Sequence, residues 1–205
     1  MSGGNTCQND KSIVRRMIDS IKEIDTGKNE IILKFQLFLD DGINVPLDHD
    51  VFDHAYRYGN EQGYKVTSSV ADFESLKFLL QYDIPFVKIP NDRKLDWLVG
   101  EIRRKVPIVI SFGVNYNEIL PKIENASFLA CVSKYPATVK DYEFRNARVL
   151  FKHSLNFGIS DHTVGLDLYK KYQPQIWEKH FKLPDSTGLD AGPFAITLEE
   201  LREIL

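Results

Sequence analysis

Two histidines, His162 and His180, each close a short apolar run: Gly-Ile-Ser-Asp-His-Thr at 158–163 and Trp-Glu-Lys-His-Phe at 177–181. About one helix of sequence (164–173) separates them, the spacing of a βαβ unit. Parallel neighbours carrying the same residue at their C-terminal ends bring two imidazoles together. A pair of neutral imidazoles with open positions beside it is a common way to hold a catalytic divalent metal. Side chains at i and i+2 share one face of a strand, so Ser160 accompanies His162, Glu178 accompanies His180, and Gln36 accompanies Lys34. A lysine inside a sheet is costly unless it meets an anion. Lys34 and Lys88, on two strands, could together clamp a phosphate and a carboxylate; the alternative is that each pairs with an inward carboxylate such as Glu178.

The hydrophobic pattern supplies the elements that position these residues. Helical stripes are expected over 13–24, 51–62, 72–80 (capped by Asp72), 95–102, 116–123, 141–151 and 164–173. A last helix begins at Thr197, with Glu200 three residues on as a capping box. Strands are expected over 31–38, 64–71, 86–90, 108–112 and 128–132, followed by the two histidine-tipped runs. Alternating strands and helices favour a parallel sheet, because parallel strands need crossovers. No Gly-x-Gly-x-x-Gly turn supports a dinucleotide fold. Polar residues instead recur at the C-terminal ends of nearly all the strands, as in an α/β TIM barrel of the (β/α)₈ type with its site at that face.

Bulk composition excludes several classes. With 205 residues, 43% hydrophobic and 27% charged, the chain fits one buried domain. Its 26 basic and 29 acidic residues give a net charge of −3, which offers no electrostatic case for nucleic acid. Arg15-Arg16, Arg103-Arg104-Lys105 and Lys170-Lys171 read as solvated helix faces. No apolar run approaches the roughly 18 residues of a membrane span, and the N-terminus lacks the apolar core of a signal peptide. Two cysteines give no disulfide framework, so a cytoplasmic protein is expected. Residues 1–10 read as a disordered or flexible tail and 11–205 as the domain.

Taken in order, the strand-end motifs resemble the sialic acid synthase (N-acetylneuraminate synthase, NeuB-like) family. They are Lys34-Phe35-Gln36, Ser68-Ser69, Val87-Lys88-Ile89, Ile110-Ser111-Phe112-Gly113, Cys131-Val132-Ser133-Lys134-Tyr135-Pro136, Ser160-Asp161-His162-Thr163, Glu178-Lys179-His180-Phe181 and Gly188-Leu189-Asp190. The resemblance implies condensation of phosphoenolpyruvate with an N-acetylated amino sugar, such as N-acetylmannosamine, to a 2-keto acid with release of phosphate. It assigns phosphoenolpyruvate to Lys34 and Lys88, helped by Ser69, Ser111, Ser133 and Ser160. It gives a divalent metal, usually Mn²⁺ (Mg²⁺ or Co²⁺ as alternatives), to His162 and His180, and sugar hydroxyls to Asp190. Gln36 would line the pocket, Tyr135 would line it or simply pack beside Pro136, and Asp161 would orient its neighbours from behind. His49, His54 and His153 are expected to face solvent, and Trp97 and Trp177 to pack.

The chain departs from that family in three places. Residues 1–10 cannot supply an apolar strand, so the first barrel strand, with its Glu-Ile-Gly-x-Asn-His signature, is expected to be missing. Pro90-Asn91-Asp92-Arg93 replaces Ser-Gly-Glu after Lys-Ile. The family's C-terminal antifreeze-like domain is likewise expected to be absent after the last helix. An incomplete barrel of about seven parallel strands would leave the edges at 31–38 and 175–181 open. A homodimer contact, a partner chain or a rearranged N-terminus is expected to cover them. The functional alternative is a catalytically impaired relative that binds ligand or serves as a subunit of a larger synthase.

Overall fold

A computed structural model describes residues 3–37, 42–102, 106–114, 123, 125–143 and 157–205. Among the described residues seven parallel strands follow one another in chain order, β1 (Ile32–Leu37), β2 (Lys65–Val70), β3 (Val87–Ile89), β4 (Ile108–Gly113), β5 (Ala126–Cys131), β6 (Phe157–Asp161) and β7 (Ile176–Lys179). The described helices are α1 (Gly3–Cys7), α2 (Lys11–Ile24), α3 (His49–Glu61), α4 (Phe73–Leu79), α5 (Leu98–Glu101), α6 (Asp167–Tyr172) and α7 (Leu198–Arg202). The architecture is an incomplete TIM-type barrel. Its sheet is curled enough that Lys34 on the first strand lies 3.7 Å from Glu178 on the last.

Sequence alternation decides which side chains face inward. Along β1, Leu33, Phe35 and Leu37 are buried while Lys34 and Gln36 are only partly covered. The apolar set packs outward on the helices, as in the edge-to-face contact of Phe35 with Phe52 of α3, ring centroids 6.1 Å apart. The polar set is left for the barrel interior. Helix α2 buries Val14, Met17, Ile18, Ile21 and Ile24 at helical spacing. Asp72 caps α4 by accepting from Ser75 N at 2.7 Å. At the start of α7, Thr197 N donates to the Glu200 carboxylate at 2.9 Å and Glu200 N to Thr197 Oγ1 at 3.3 Å, completing the capping box.

Three expectations are corrected. Residues 3–10 do not form a loose tail: Asn5, Thr6 and Cys7 of α1 are at most 3% exposed. The Asn5 amide buries at little cost because it is hydrogen-bonded to Asn44, Val45 and Asp190, and an apolar-run criterion does not detect that. Helix 95–102 is broken into a 3₁₀ turn, Arg93–Leu95, and the single turn of α5. Trp97 between them is 53% exposed rather than packed. The helix expected over 116–123 lies almost wholly outside the described residues. Of the helix over 141–151, only a 3₁₀ turn, Val139–Tyr142, falls within them. His153 also lies outside.

Helix α1 packs against β1 and against the 3₁₀ turn Leu189–Ala191 beyond β7, and α2 packs against α7. The N-terminal helix therefore touches both the first strand and the turn that follows the last, without joining the sheet.

Tight inter-strand packing around β6 sets one test. A Cβ at Gly158 would meet Ile176 O at 2.3 Å and Leu129 Cδ2 at 2.5 Å. Gly158→Ala should destabilise the protein by about 1–3 kcal/mol in urea unfolding. An unchanged midpoint would contradict this packing.

Candidate active site

A pocket of about 160 Å³ lies at the C-terminal ends of the strands. Every candidate residue except Asp161 and Asp190 lines it. Strand register explains this assembly. Gln36 is paired with Ser69, and Ser69 with Lys88, so β1 to β3 present one polar layer. Cys131 is paired with Ser160, and Ser160 with Glu178, giving the opposing layer from β5 to β7.

Cations and one carboxylate meet on the pocket floor. The Lys88 side chain is 3% exposed and donates to Ser111 Oγ at 2.8 Å and Ile89 O at 3.0 Å. Glu178 accepts from Ser160 Oγ at 2.7 Å and stands 3.7 Å from Lys34 Nζ and 3.9 Å from Lys88 Nζ. Both lysine separations exceed hydrogen-bond length, so the single carboxylate is shared between two ammoniums and fully pairs neither. Burial would raise the Glu178 carboxyl, but Lys34 and Lys88, with the Ser160 hydroxyl, hold it at about 2. Burial pushes Lys88 below the ordinary lysine range, and Glu178 offsets this only in part. With two cations and one anion, the floor carries net positive charge. Ser69 Oγ and Gln36 Oε1, in the same layer, are buried without a hydrogen-bond partner. Orphaned polar atoms beside uncompensated cations suit an anionic, oxygen-rich ligand.

The two imidazoles stand above, with ring centroids 5.4 Å apart. His162 follows β6, and its backbone N–H donates to Tyr142 Oη, which in turn donates to Ser160 O. His162 Nδ1 lies 2.7 Å from Val132 O. A carbonyl only accepts, so Nδ1 carries the proton and Nε2 keeps its lone pair. Burial lowers the His162 pKa, and burial with the nearby His162 and Lys34 lowers His180 well below the ordinary range. Both rings are therefore neutral near pH 7. His180 Nδ1 lies 3.6 Å from Asp190 Oδ1.

Other expected residues stand at the rim or behind it. Tyr135 is 52% exposed and sits over His162, centroids 4.3 Å apart. Ser133 accepts from Asn91 Nδ2 at 3.1 Å. Asp161 faces away from the pocket and is fully buried. It accepts from Thr163 N and Trp177 Nε1 and pairs with Lys179 at 3.1 Å. That network fixes the β6 end from behind. His49 is exposed and stacked on Phe78, whereas His54 is half-buried. Sequence reasoning passed over Asn91, Cys131 and Phe194. Asn91 and Cys131 follow the strand-end pattern and could have been found by it. Phe194, edge-on to His180 at 5.2 Å, carries no pattern because it comes from the loop before α7.

An incomplete (β/α)₈ barrel with a cationic floor and an imidazole-lined mouth defines the class of protein. The NeuB family model matches residues 39–205, and the chain belongs to that family. It is 25% identical over 245 residues to human N-acetylneuraminate-9-phosphate synthase, covering 97% of this chain and 67% of the relative. Two solved structures share the fold. The sialic acid synthetase from Leptospira borgpetersenii, in complex with citrate, has a TM-score of 0.77 at 20% identity, with 98% of this chain and 79% of that one covered. Spore coat polysaccharide biosynthesis protein spsE from Bacillus subtilis has a TM-score of 0.78 at 20% identity, with coverages of 98% and 64%.

The lowered histidines have a consequence for stability. Unfolded imidazoles titrate near 6.5, and the folded ones below it. Between the two values the unfolded chain binds more protons, so this stability is fully present above about 6.5 and is lost as pH falls through that window toward the folded values. Urea midpoints of the metal-free protein should be lower at about pH 5.5 than at about pH 7.5. A constant or higher midpoint in acid would contradict the burial of neutral rings.

Proposed function

We propose that this chain condenses phosphoenolpyruvate with an N-acetylated amino sugar, N-acetylmannosamine or a relative, in carbohydrate biosynthesis. C3 of phosphoenolpyruvate bonds to the sugar aldehyde carbon while water adds at C2. Phosphate then leaves with its bridging oxygen, giving a 2-keto acid. The observation that carries this reading is the doubly cationic floor beside the orphaned Ser69 hydroxyl and Gln36 carbonyl. Lys34 and Lys88 bind the phosphate and carboxylate, with Ser111 holding Lys88 in place. Ser160 keeps Glu178 turned to the lysines, so the pair stays anchored before substrate enters. Ser133 and Tyr135 at the rim, with Asp190, face the sugar.

The donor set also fits a divalent ion, Mn²⁺ in this reading. Two neutral rings 5.4 Å apart can both reach one ion at the roughly 2 Å metal–nitrogen distance. Among the described residues no cluster of three or more His, Cys, Asp or Glu is assembled, which leaves the other positions to substrate and water oxygens. Such an ion would supply Lewis-acid polarisation of the sugar aldehyde, a contribution of several kcal/mol. No helix among the described residues is long and apolar enough to cross a membrane. That and two free cysteines suit a cytoplasmic setting.

A second reading is a ligand-binding relative or subunit without turnover. It is favoured by the neutral Asn91–Ser133 pair at the rim, where the resemblance calls for a carboxylate. Incubation with phosphoenolpyruvate, N-acetylmannosamine and Mn²⁺ should release phosphate, and chelator should stop it. Lys88→Ala should lower kcat/KM by about 10²-fold or more. Mn²⁺ binding without phosphate release would favour the second reading and contradict the first.

A further inference from the structure

We propose that Asn5 is a positioning residue of this site, and that the N-terminal helix α1 acts as a clamp holding the Asp190 carboxylate against His180 for the incoming sugar. The inference rests on the condensation reading for its ligand but not for its geometry. Asn5 is 3% exposed, and its amide is engaged on three sides. Nδ2 donates to Asp190 Oδ2 at 3.0 Å and to Asn44 Oδ1 at 2.8 Å, while Oδ1 accepts from Val45 N at 2.8 Å. These bonds use both amide hydrogens and tie together three segments far apart in sequence: α1, the loop before α3, and the turn after β7. The other Asp190 oxygen, Oδ1, is left 3.6 Å from His180 Nδ1.

Backbone contact reinforces the clamp. Gly188, at φ +101, begins the turn that carries Asp190. A Cβ there would come within 2.2 Å of Asn5 O, so a glycine is what lets α1 lie directly on this turn. A buried aspartate on a short turn has little to hold its rotamer except its hydrogen bonds, and Asn5 supplies one to the oxygen facing away from His180. An asparagine can do this without competing for the ligand, because it brings no charge of its own. An apolar residue at position 5 would fill the space but free the carboxylate.

Two measurements on the full-length protein test the proposal. In the first, imidazole ¹⁵N–¹H spectra of the ligand-free protein are recorded at fixed pH. Asn5→Ala should shift the His180 signals in the same direction as Asp190→Ala and leave those of His162 in place. Unmoved His180 signals would overturn the proposal, whatever the reaction proves to be. In the second, calorimetry measures N-acetylmannosamine and phosphoenolpyruvate separately. Asn5→Ala should weaken sugar binding about tenfold, the loss expected for one hydrogen bond to a charged group, with phosphoenolpyruvate affinity unchanged. The sugar effect should vanish in an Asp190→Ala background. Equal loss for both ligands, or additive losses in the double variant, would mean that Asn5 is merely structural. If Asn5→Ala fails to fold, Asn44→Ala, which releases one arm of the amide, should move the same signals by a smaller amount; unmoved His180 signals there would be equally fatal. A wild-type protein that binds neither ligand would reject the condensation reading, while the spectra still decide the clamp.

Discussion

One carboxylate shared by two ammoniums organises this molecule. Glu178 comes from the last strand, Lys34 from the first and Lys88 from the third, so the cluster draws opposite sides of an unclosed sheet toward one point. Hydrogen bonds from Ser160 and to Ser111 fix the carboxylate and Lys88 separately. Neither lysine comes close enough to Glu178 for full pairing. An interior of this kind is costly for an empty protein and is relieved when an anion enters, which is why the cluster reads as a binding floor and not as a structural ion pair.

A barrel with seven strands must solve the problem of its two edges. Among the described residues α1 packs on both β1 and the turn beyond β7, so the segment that bridges the two ends also reaches the turn carrying Asp190. Bridging the ends and shaping the site's mouth thus fall to the same short helix. The Asp161–Lys179 pair plays a comparable part behind the histidines: both side chains are buried, and the pair anchors the ends of β6 and β7 beside the pocket, which Lys179 helps to line.

Much of this was legible in the sequence because it depends on periodicity. Strand alternation put Lys34 with Gln36 and Glu178 with His180, and the order of strand-end polar residues pointed to a barrel with its pocket at that face. In the sequence, Glu178 reads as a carboxylate partner of the lysines, an alternative to a bound anion. Coordinates make the two compatible, since one Glu178 cannot satisfy both cations. What stayed hidden depends on contacts between distant segments. Asn5 lies in a stretch with no apolar pattern, and its role comes from partners some 40 and 185 residues away. Phe194 reaches the histidines from a loop, and Trp97 is exposed because its helix breaks, neither of which periodicity records.

The shared carboxylate can be tested by comparing urea unfolding of the wild type and Glu178→Gln at neutral pH, with and without phosphoenolpyruvate. The substitution keeps shape and hydrogen bonding but removes the carboxylate charge that lies within 4 Å of both lysines. The account predicts a loss of about 1–3 kcal/mol in the free protein, consistent with partly exposed side chains, and a smaller loss once the anion is present. Equal stability of the two proteins without ligand would show that Lys34 and Lys88 do not depend on Glu178, and would contradict the account.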